Sequence, residues 1–140
     1  MKIIIKIFLF SFFCLSNLRA GEIIVRVNNI EEMVGLIHFA LYDDPNSFPE
    51  DKGKKIGLVK QTNEVFEDGI VFKDLKESYY AIAIYHDENS NNNFDTFLSI
   101  PKEKYGFSND APVFLGPPEF KEAAFFLKTG ETIEIEISLR

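Results

Sequence analysis

The chain has 140 residues, a formal net charge of −7 at neutral pH and a single cysteine. This length is typical of one domain. The acidic balance disfavours binding to nucleic acid and to anionic membranes, and one cysteine excludes an intramolecular disulfide and a zinc site built from several cysteines.

The first twenty residues have the pattern of a secretory signal peptide. Lys2 and Lys6 give a positively charged start, an apolar core runs from Ile7 to Leu15, and Ala20 is a small residue at the expected cleavage point. The core is shorter than the ~20 apolar residues that a membrane span needs. We therefore predict export to the periplasm or the extracellular space with removal of residues 1–20. An uncleaved anchor is the alternative.

Cleavage changes what the remaining chain contains. Residues 21–140 have no cysteine, because Cys14 leaves with the signal peptide. Three basic residues and no acidic residue leave as well, so the net charge becomes −10. We expect residues 21–140 to form a single domain that is stabilised by its core rather than by disulfides. We also expect a monomer that does not insert into the membrane.

Strand patterns recur along this segment. Apolar and polar residues alternate in EIIVRVN (22–28), GLIHFALY (35–42) and TIEIEISL (132–139), and such alternation places one face of a strand against the core. Residues 79–85 are apolar on both faces, which is typical of a central strand. Weaker strand patterns cover residues 56–62, 70–75 and 123–127.

These patterns predict an all-β fold, a two-sheet antiparallel sandwich of the immunoglobulin-like or transthyretin-like kind with about seven strands. The predicted core contains Val25, Ile37, Phe39, Ile82, Ile84, Ile135 and Ile137. No segment shows a helical period with caps at both ends, although residues 120–127 are compatible with a short helical turn. One long irregular region covers residues 87–121, and loops of such length are often functional.

The segment HDENSNNNFD, residues 86–95, is the most unusual part of the sequence. Hard cations such as Ca²⁺ prefer several oxygen ligands, and calcium loops place them on alternate residues. The predicted ligands are the side chains of Asp87, Asn89, Asn91 and Asp95 and the backbone carbonyl of Asn93. Asn92 replaces the usual glycine but tolerates a left-handed conformation. Leu98 stands where an EF-hand has its bidentate glutamate.

Two interpretations of this segment therefore stay open. With few charged ligands, a calcium loop would bind in the ~10⁻⁴–10⁻³ M range of extracellular modules. The alternative is a metal-free turn that the asparagine side chains stabilise by their own hydrogen bonds.

Other chemistry is poorly represented. His38 lies within a strand pattern, His86 is expected to form hydrogen bonds within the Asn-rich segment, and no nucleophile motif accompanies them. We therefore expect no enzymatic activity, and a hydrolase that uses His86 as its base is the alternative. Tyr105, Phe107 and Phe114 either attach the irregular region to the sandwich or form a surface for a partner, which would be an envelope protein or a glycan.

Several stretches together resemble a family of secreted bacterial proteins, domain of unknown function 2141. They are GLIHFALYDDPNSFP, FKDLKESYYAIAIYHDENSNNNFDTFLSIPKEKYGFSND and GPPEFKEAAFFL, followed by the final alternating strand. The family loop is similar to HDxNxNGxxD, and Asn92 departs from it. The resemblance implies export and a β-sandwich but no activity. A shorter stretch, FKDLKESYYAIAIYHDEN, resembles transthyretin-like and collagen-adhesin repeat domains, which are spacers, stalks or binding domains.

Together these observations predict an exported module with a binding or structural role in the bacterial envelope, either stabilised by calcium or free of metal. Export is directly testable. Mass spectrometry of the protein recovered from the periplasm or the medium should give a chain that begins at Gly21, because cleavage is expected after Ala20. Recovery of chains that still begin with Met1 would contradict cleavage.

Overall fold

The structure, a computed structural model, describes residues 19–140. The predicted signal peptide falls almost entirely on residues 1–18, which lie outside the described residues. Within residues 19–140, no helix is both long enough and apolar enough to cross a membrane.

The described chain consists mainly of strands. In chain order these are β1 (Gly21–Asn28), β2 (Leu36–Tyr42), β3 (Ile56–Gln61), β4 (Ile70–Leu75), β5 (Ser78–Asp87), β6 (Thr96–Phe97), β7 (Ile100–Pro101), β8 (Tyr105–Phe107), β9 (Phe125–Leu127) and β10 (Thr132–Ser138). Two short helices, α1 (Thr62–Asp68) and α2 (Phe120–Ala123), and two 3-10 turns at Asp51–Gly53 and Ser108–Asp110 complete the elements.

The strands form two main sheets and a small hairpin. One sheet has the order β10-β1-β4, and the other has the order β3-β2-β5-β8, with β9 paired to the start of β5. Strands β6 and β7 pair with each other. This arrangement confirms the predicted all-β sandwich. The irregular region was expected to be without strands, but it contributes β6, β7 and β8, which are too short to show an alternating pattern.

One pairing departs from the antiparallel scheme. Strands β1 and β10 run parallel, with Ile23 opposite Ile133 and Val25 opposite Ile135. Parallel neighbours need a long connection, and here the connection is nearly the whole described chain. The first and last strands are therefore held together in one sheet.

The core lies between the two sheets and follows the predicted alternation. Of the seven predicted core residues, six are buried, and Ile135 is half-buried and packs against them. A second, smaller cluster surrounds Phe48 and Phe107. The apolar side chains of β10 are more deeply buried toward the end of the strand, where Ile137 and the following Leu139 are buried.

Helix α1 was not predicted. It has seven residues, and only Thr62 and Val65 are buried, so it is too short to display a helical period in the sequence. It ends at Gly69, whose φ of 67° and N–H bond to the Val65 carbonyl close the helix. Helix α2 immediately precedes β9, in agreement with a helical turn before the strand in residues 120–127.

Phe39 provides a test of the core. Its side chain is 2% exposed and lies on β2, at the centre of the larger sheet. We expect Phe39→Ala to reduce the free energy of unfolding by about 3–5 kcal/mol, because it removes apolar contacts and leaves a cavity. Urea denaturation measures this change. Val59→Ala on the exposed side of β3 is the control, and an equal loss in both variants would contradict the assigned core.

Candidate functional site

The Asn-rich segment begins where the central strand β5 ends, at a buried carboxylate. Asp87 is fully buried, and its Oδ1 accepts a hydrogen bond from the backbone N–H of Asn91 at 3.1 Å. Its Oδ2 accepts bonds from the N–H of Asn92 at 2.8 Å and from His38 Nε2 at 3.2 Å. The side chain of Asp87 therefore folds the loop back onto the sheet and links it to β2.

A glycine makes room for this arrangement. Gly35 has a φ of +71°, and a Cβ atom at this position would lie 2.2 Å from the carbonyl oxygen of Asp87. Any side chain here would displace the start of the loop, so the close approach requires glycine.

Within the loop, asparagine side chains hold successive turns. Oδ1 of Asn89 accepts the N–H of Asn91 at 3.0 Å, and Oδ1 of Asn91 accepts the N–H of Asn93 at 2.8 Å. The amide nitrogens of Asn89 and Asn91 both donate to Oδ2 of Asp95 at 2.9 Å. Asn92 has a φ of 62°, which confirms the left-handed conformation expected at this position.

The loop thus brings together four of the predicted ligand side chains, those of Asp87, Asn89, Asn91 and Asp95. The fifth residue, Asn93, turns its side-chain amide back to the carbonyl of Asn91 at 3.0 Å. Within residues 19–140, no three His, Cys, Asp or Glu side chains form a ready-made metal-binding group. The loop is rich in amide oxygens, and Asp87 directs both of its oxygens to hydrogen-bond donors.

One acidic residue that the sequence did not indicate also lies at this loop. Glu103 is 9% exposed, and its Oε2 accepts the backbone N–H of Asp95 at 3.1 Å. Its Oε1 is buried and has no hydrogen-bond partner. Among the buried side-chain oxygen and nitrogen atoms of residues 19–140, it is the one without a partner. Buried polar atoms normally have a partner, so this oxygen stands out.

The sheet register explains why Glu103 reaches the loop. Strands β5 and β8 are antiparallel, with Tyr85 opposite Tyr105, and the N–H of His86 bonds to the carbonyl of Lys104 at 2.8 Å. This bond sets His86 opposite Lys104, and one residue further along, the same register places Glu103 opposite Asp87. Glu103 lies eight residues after Asp95 in the sequence, and this spacing does not indicate that the two residues are in contact.

The local electrostatics are strongly negative. Burial raises the pKa of Glu103, and the charges of Asp87, Asp95 and Glu88 raise it further. Among residues 19–140, no Lys or Arg forms an ion pair with the carboxylates of Asp87, Asp95 or Glu103. The same surroundings raise the pKa of Tyr85 to about 12, mainly through burial and next through Asp87.

His86 has a structural position. It is 1% exposed, its Nε2 donates to the carbonyl of Val34 at 2.7 Å, and Thr62 Oγ1 lies 3.2 Å away. Bonds within the Asn-rich segment were expected instead, but from that segment only Glu88 approaches, with 3.8 Å between its Oε1 and His86 Nδ1. The ring joins the end of β5 to the segment before β2.

A groove lies on the face of the larger sheet that points away from the core. Small residues form its floor, because Gly57, Ala40 and Ala83 are paired in one row across β3, β2 and β5. Aromatic rings rise beside this row, including Tyr85, which stacks on His38 with 4.4 Å between ring centroids. The groove has a volume of about 1070 Å³.

The walls of the groove come from the irregular region. Phe94 of the Asn-rich loop contacts Tyr85, with 5.3 Å between ring centroids, and Tyr105, with 6.1 Å. Ile100 of the β6–β7 hairpin and Leu115 line the opening. Residues 79–85 were predicted to form a central strand, and β5 does lie inside its sheet, between β2 and β8. Ala83 and Tyr85 on its outward face line the groove.

The three residues predicted as a partner surface have different environments. Tyr105 is half-buried in the groove wall, Phe107 is buried against Phe48, and Phe114 is 85% exposed. The structure therefore does not join them into one exposed patch. Five strongly exposed apolar side chains lie instead in the two segments that carry the groove-lining residues Ile100 and Leu115. We call them the apolar lip: Phe97, Leu98, Ile100, Phe114 and Leu115. No periodicity marks these residues in the sequence.

Comparison with known proteins gives one match. The family model described as an uncharacterized protein conserved in bacteria (DUF2141) matches residues 25–135, which is most of the chain. No curated protein and no solved structure matches the chain significantly.

The hydrogen bonds of Asp87 can be tested in the absence of divalent cations. We expect Asp87→Ala to lower the free energy of unfolding by about 3 kcal/mol, because two backbone N–H groups and His38 lose a buried, charged acceptor. Urea denaturation in the presence of a chelator measures the loss. Glu88→Ala changes the exposed neighbour and should stay within about 0.5 kcal/mol of the parent. Equal stability of the two variants would contradict the role of Asp87.

Proposed function

The chain belongs to the DUF2141 family of uncharacterized bacterial proteins, and we propose that it is an exported, non-catalytic binding module of the bacterial envelope whose Asn-rich loop is stabilised by Ca²⁺. The observation that carries the binding role is the apolar lip. Its five large apolar side chains are between 63% and 96% exposed, and two of them, Ile100 and Leu115, line the groove. Large exposed apolar patches mark interaction sites.

The ligand that best fits this surface is an apolar segment of another envelope protein. Phe97, Leu98, Phe114 and Leu115 offer no hydrogen-bonding side chains, whereas a glycan would need many of them. The groove has a volume of about 1070 Å³, and its floor of alanine and glycine leaves space for side chains to enter. Aromatic walls supply apolar contact area with a few polar tips, as is common in binding sites.

Calcium is proposed because of the position and chemistry of the loop. Carboxylate and amide oxygens are the ligands that Ca²⁺ prefers, and the loop places three such side chains, Asp87, Asn89 and Asn91, on alternate residues, followed by Asp95. The loop also ends directly before the β6–β7 hairpin, which carries three residues of the apolar lip. A cation in the loop would therefore stabilise the base of the binding surface.

The hydrolase alternative has weaker support. A general base must reach the proton that it removes, and this requires an accessible ring nitrogen. His86 is buried, and its Nε2 is engaged by the Val34 carbonyl. His38 is also occupied, because its Nε2 donates to Asp87 while its ring stacks on Tyr85.

Binding can be tested in cells with a photo-crosslinking amino acid, p-benzoylphenylalanine. We expect a crosslinked protein of one defined mass when it replaces Ile100 in the apolar lip. It should be absent when it replaces Phe126, which is 41% exposed and packs on Tyr79 outside the groove. The reason is that only the first position borders the proposed binding surface.

The captured protein is then purified and titrated against variants. Ile100→Ser should weaken its binding about tenfold or more, whereas Phe126→Ser should not. If both positions crosslink alike, or if neither does, the groove is not the binding site. A crosslink that disappears after glycosidase treatment would favour a glycan over a protein segment.

A further inference from the structure

We infer that Glu103 is a direct ligand of the cation in the Asn-rich loop and supplies the closing carboxylate that the loop itself lacks. This inference rests on the proposed calcium-stabilised loop. It adds a residue that lies outside the loop and that its spacing pattern does not contain.

The loop needs such a residue because its own twelfth position cannot bind a cation. In an EF-hand this position carries a bidentate glutamate. Here it is Leu98, which has an apolar side chain and is 82% exposed at the tip of the β6–β7 hairpin. Without another ligand, only Asp87 and Asp95 would bring charge directly to the cation.

The hairpin returns the chain to the loop. The N–H of Lys102 bonds to the carbonyl of Asp95 at 2.9 Å, and the next residue places its carboxylate on the N–H of Asp95. The continued β5–β8 register sets the same residue opposite Asp87. Glu103 therefore accepts a hydrogen bond from the ninth position of the loop and stands across the sheet from its first position.

The free oxygen of Glu103 is the observation that points to a ligand. Oε2 is engaged by Asp95, whereas Oε1 is buried and has no partner within the described residues. A buried charged oxygen without a hydrogen bond is costly. A cation bound between Glu103 and the loop would satisfy this oxygen and offset the repulsion from Asp87 and Asp95.

The donor set favours Ca²⁺ over Mg²⁺. Three carboxylates and the side chains of Asn89 and Asn91 provide oxygen ligands from two separate chain segments, and Ca²⁺ accepts six to eight such ligands in flexible geometry. Mg²⁺ requires a near-ideal octahedron and retains its water. To bind the cation through Oδ2, Asp95 would give up the two hydrogen bonds that this oxygen now accepts from the side-chain amides of Asn89 and Asn91.

This assignment also ties the cation to the hairpin. Asp95 precedes β6 and Glu103 follows β7, so the two residues stand at the two ends of the hairpin. A cation held by both would fix the orientation of the hairpin, and with it the apolar lip. Ca²⁺ would then stabilise the binding surface as well as the loop.

The test is isothermal titration calorimetry with CaCl₂ on the exported chain after removal of metals with a chelator. The isosteric variant Glu103→Gln keeps the shape and one oxygen but loses the charge. We expect it to bind Ca²⁺ at least about tenfold more weakly than the parent, because affinity follows the number of charged ligands. Glu88→Gln is the matched control. It removes an exposed carboxylate of the same loop and should change the affinity less than about threefold.

The outcomes separate this inference from the proposed function. If the parent binds Ca²⁺ and both variants bind equally well, Glu103 is not a ligand, although the calcium loop stands. If the parent shows neither heat of binding nor a higher melting temperature in millimolar Ca²⁺, both the inference and the calcium-stabilised loop are wrong. The crosslinking experiment at Ile100 tests the groove independently of either result.

A second measurement on the unmodified sequence guards against loss of folding in the Glu103→Gln variant. The side-chain carboxyl carbon of Glu103 is followed by nuclear magnetic resonance during the Ca²⁺ titration. Direct ligation should shift its resonance together with those of Asp87 and Asp95, while that of Glu88 should move little. A Glu103 resonance that stays fixed at saturation would overturn the assignment.

Discussion

The buried carboxylate of Asp87 is the constraint on which the surroundings of the site depend. It ends the central strand, accepts two backbone N–H groups of the loop and accepts a third bond from His38 on the neighbouring strand. A charged group without exposure is stable only when donors surround it. The loop must therefore fold over Asp87, and its path from there leads to Phe94 and the groove.

The two faces of the larger sheet carry side chains of different size. The inner face of the larger sheet carries large apolar residues such as Phe39 and Ile84, which hold the sheets together. The outer face carries Gly57, Ala40 and Ala83 in one row, so that a depression forms between taller aromatic rings. Folding and the proposed binding would thus use opposite sides of the same strands, and substitutions on the two sides should have separable effects.

Negative charge is concentrated at the Asn-rich loop, whose residues Asn92, Asn93 and Phe94 line the groove. Repulsion among Asp87, Asp95 and Glu103 works against the compact loop. Hydrogen-bond donors offset part of it, but within residues 19–140 no Lys or Arg forms an ion pair with these carboxylates. A divalent cation would reverse this balance. The same event would order the hairpin, since both of its ends meet the cluster. The proposed metal binding and the proposed partner binding would in this way be physically linked.

The sequence alone was sufficient for the features that depend on short-range periodicity. Alternating apolar residues predicted the strands and most of the core. The spacing of Asp87, Asn89, Asn91 and Asp95 is also a local pattern, and it predicted that they share one loop, while calcium binding there stays a prediction. Asn92 was expected to be left-handed, because few other residues adopt that conformation readily. Helix α1 and strands β6 to β8 escaped prediction because they are too short to show a period.

Only the tertiary structure placed Glu103 beside the loop, because its position depends on the register between β5 and β8 and on the hairpin that reverses the chain. Long-range pairing also made the outward face of β5 part of a groove floor and joined the first and last strands in parallel. Sequence patterns indicate which face of an element is apolar, whereas the pairing partners and the register determine which residues that face contacts.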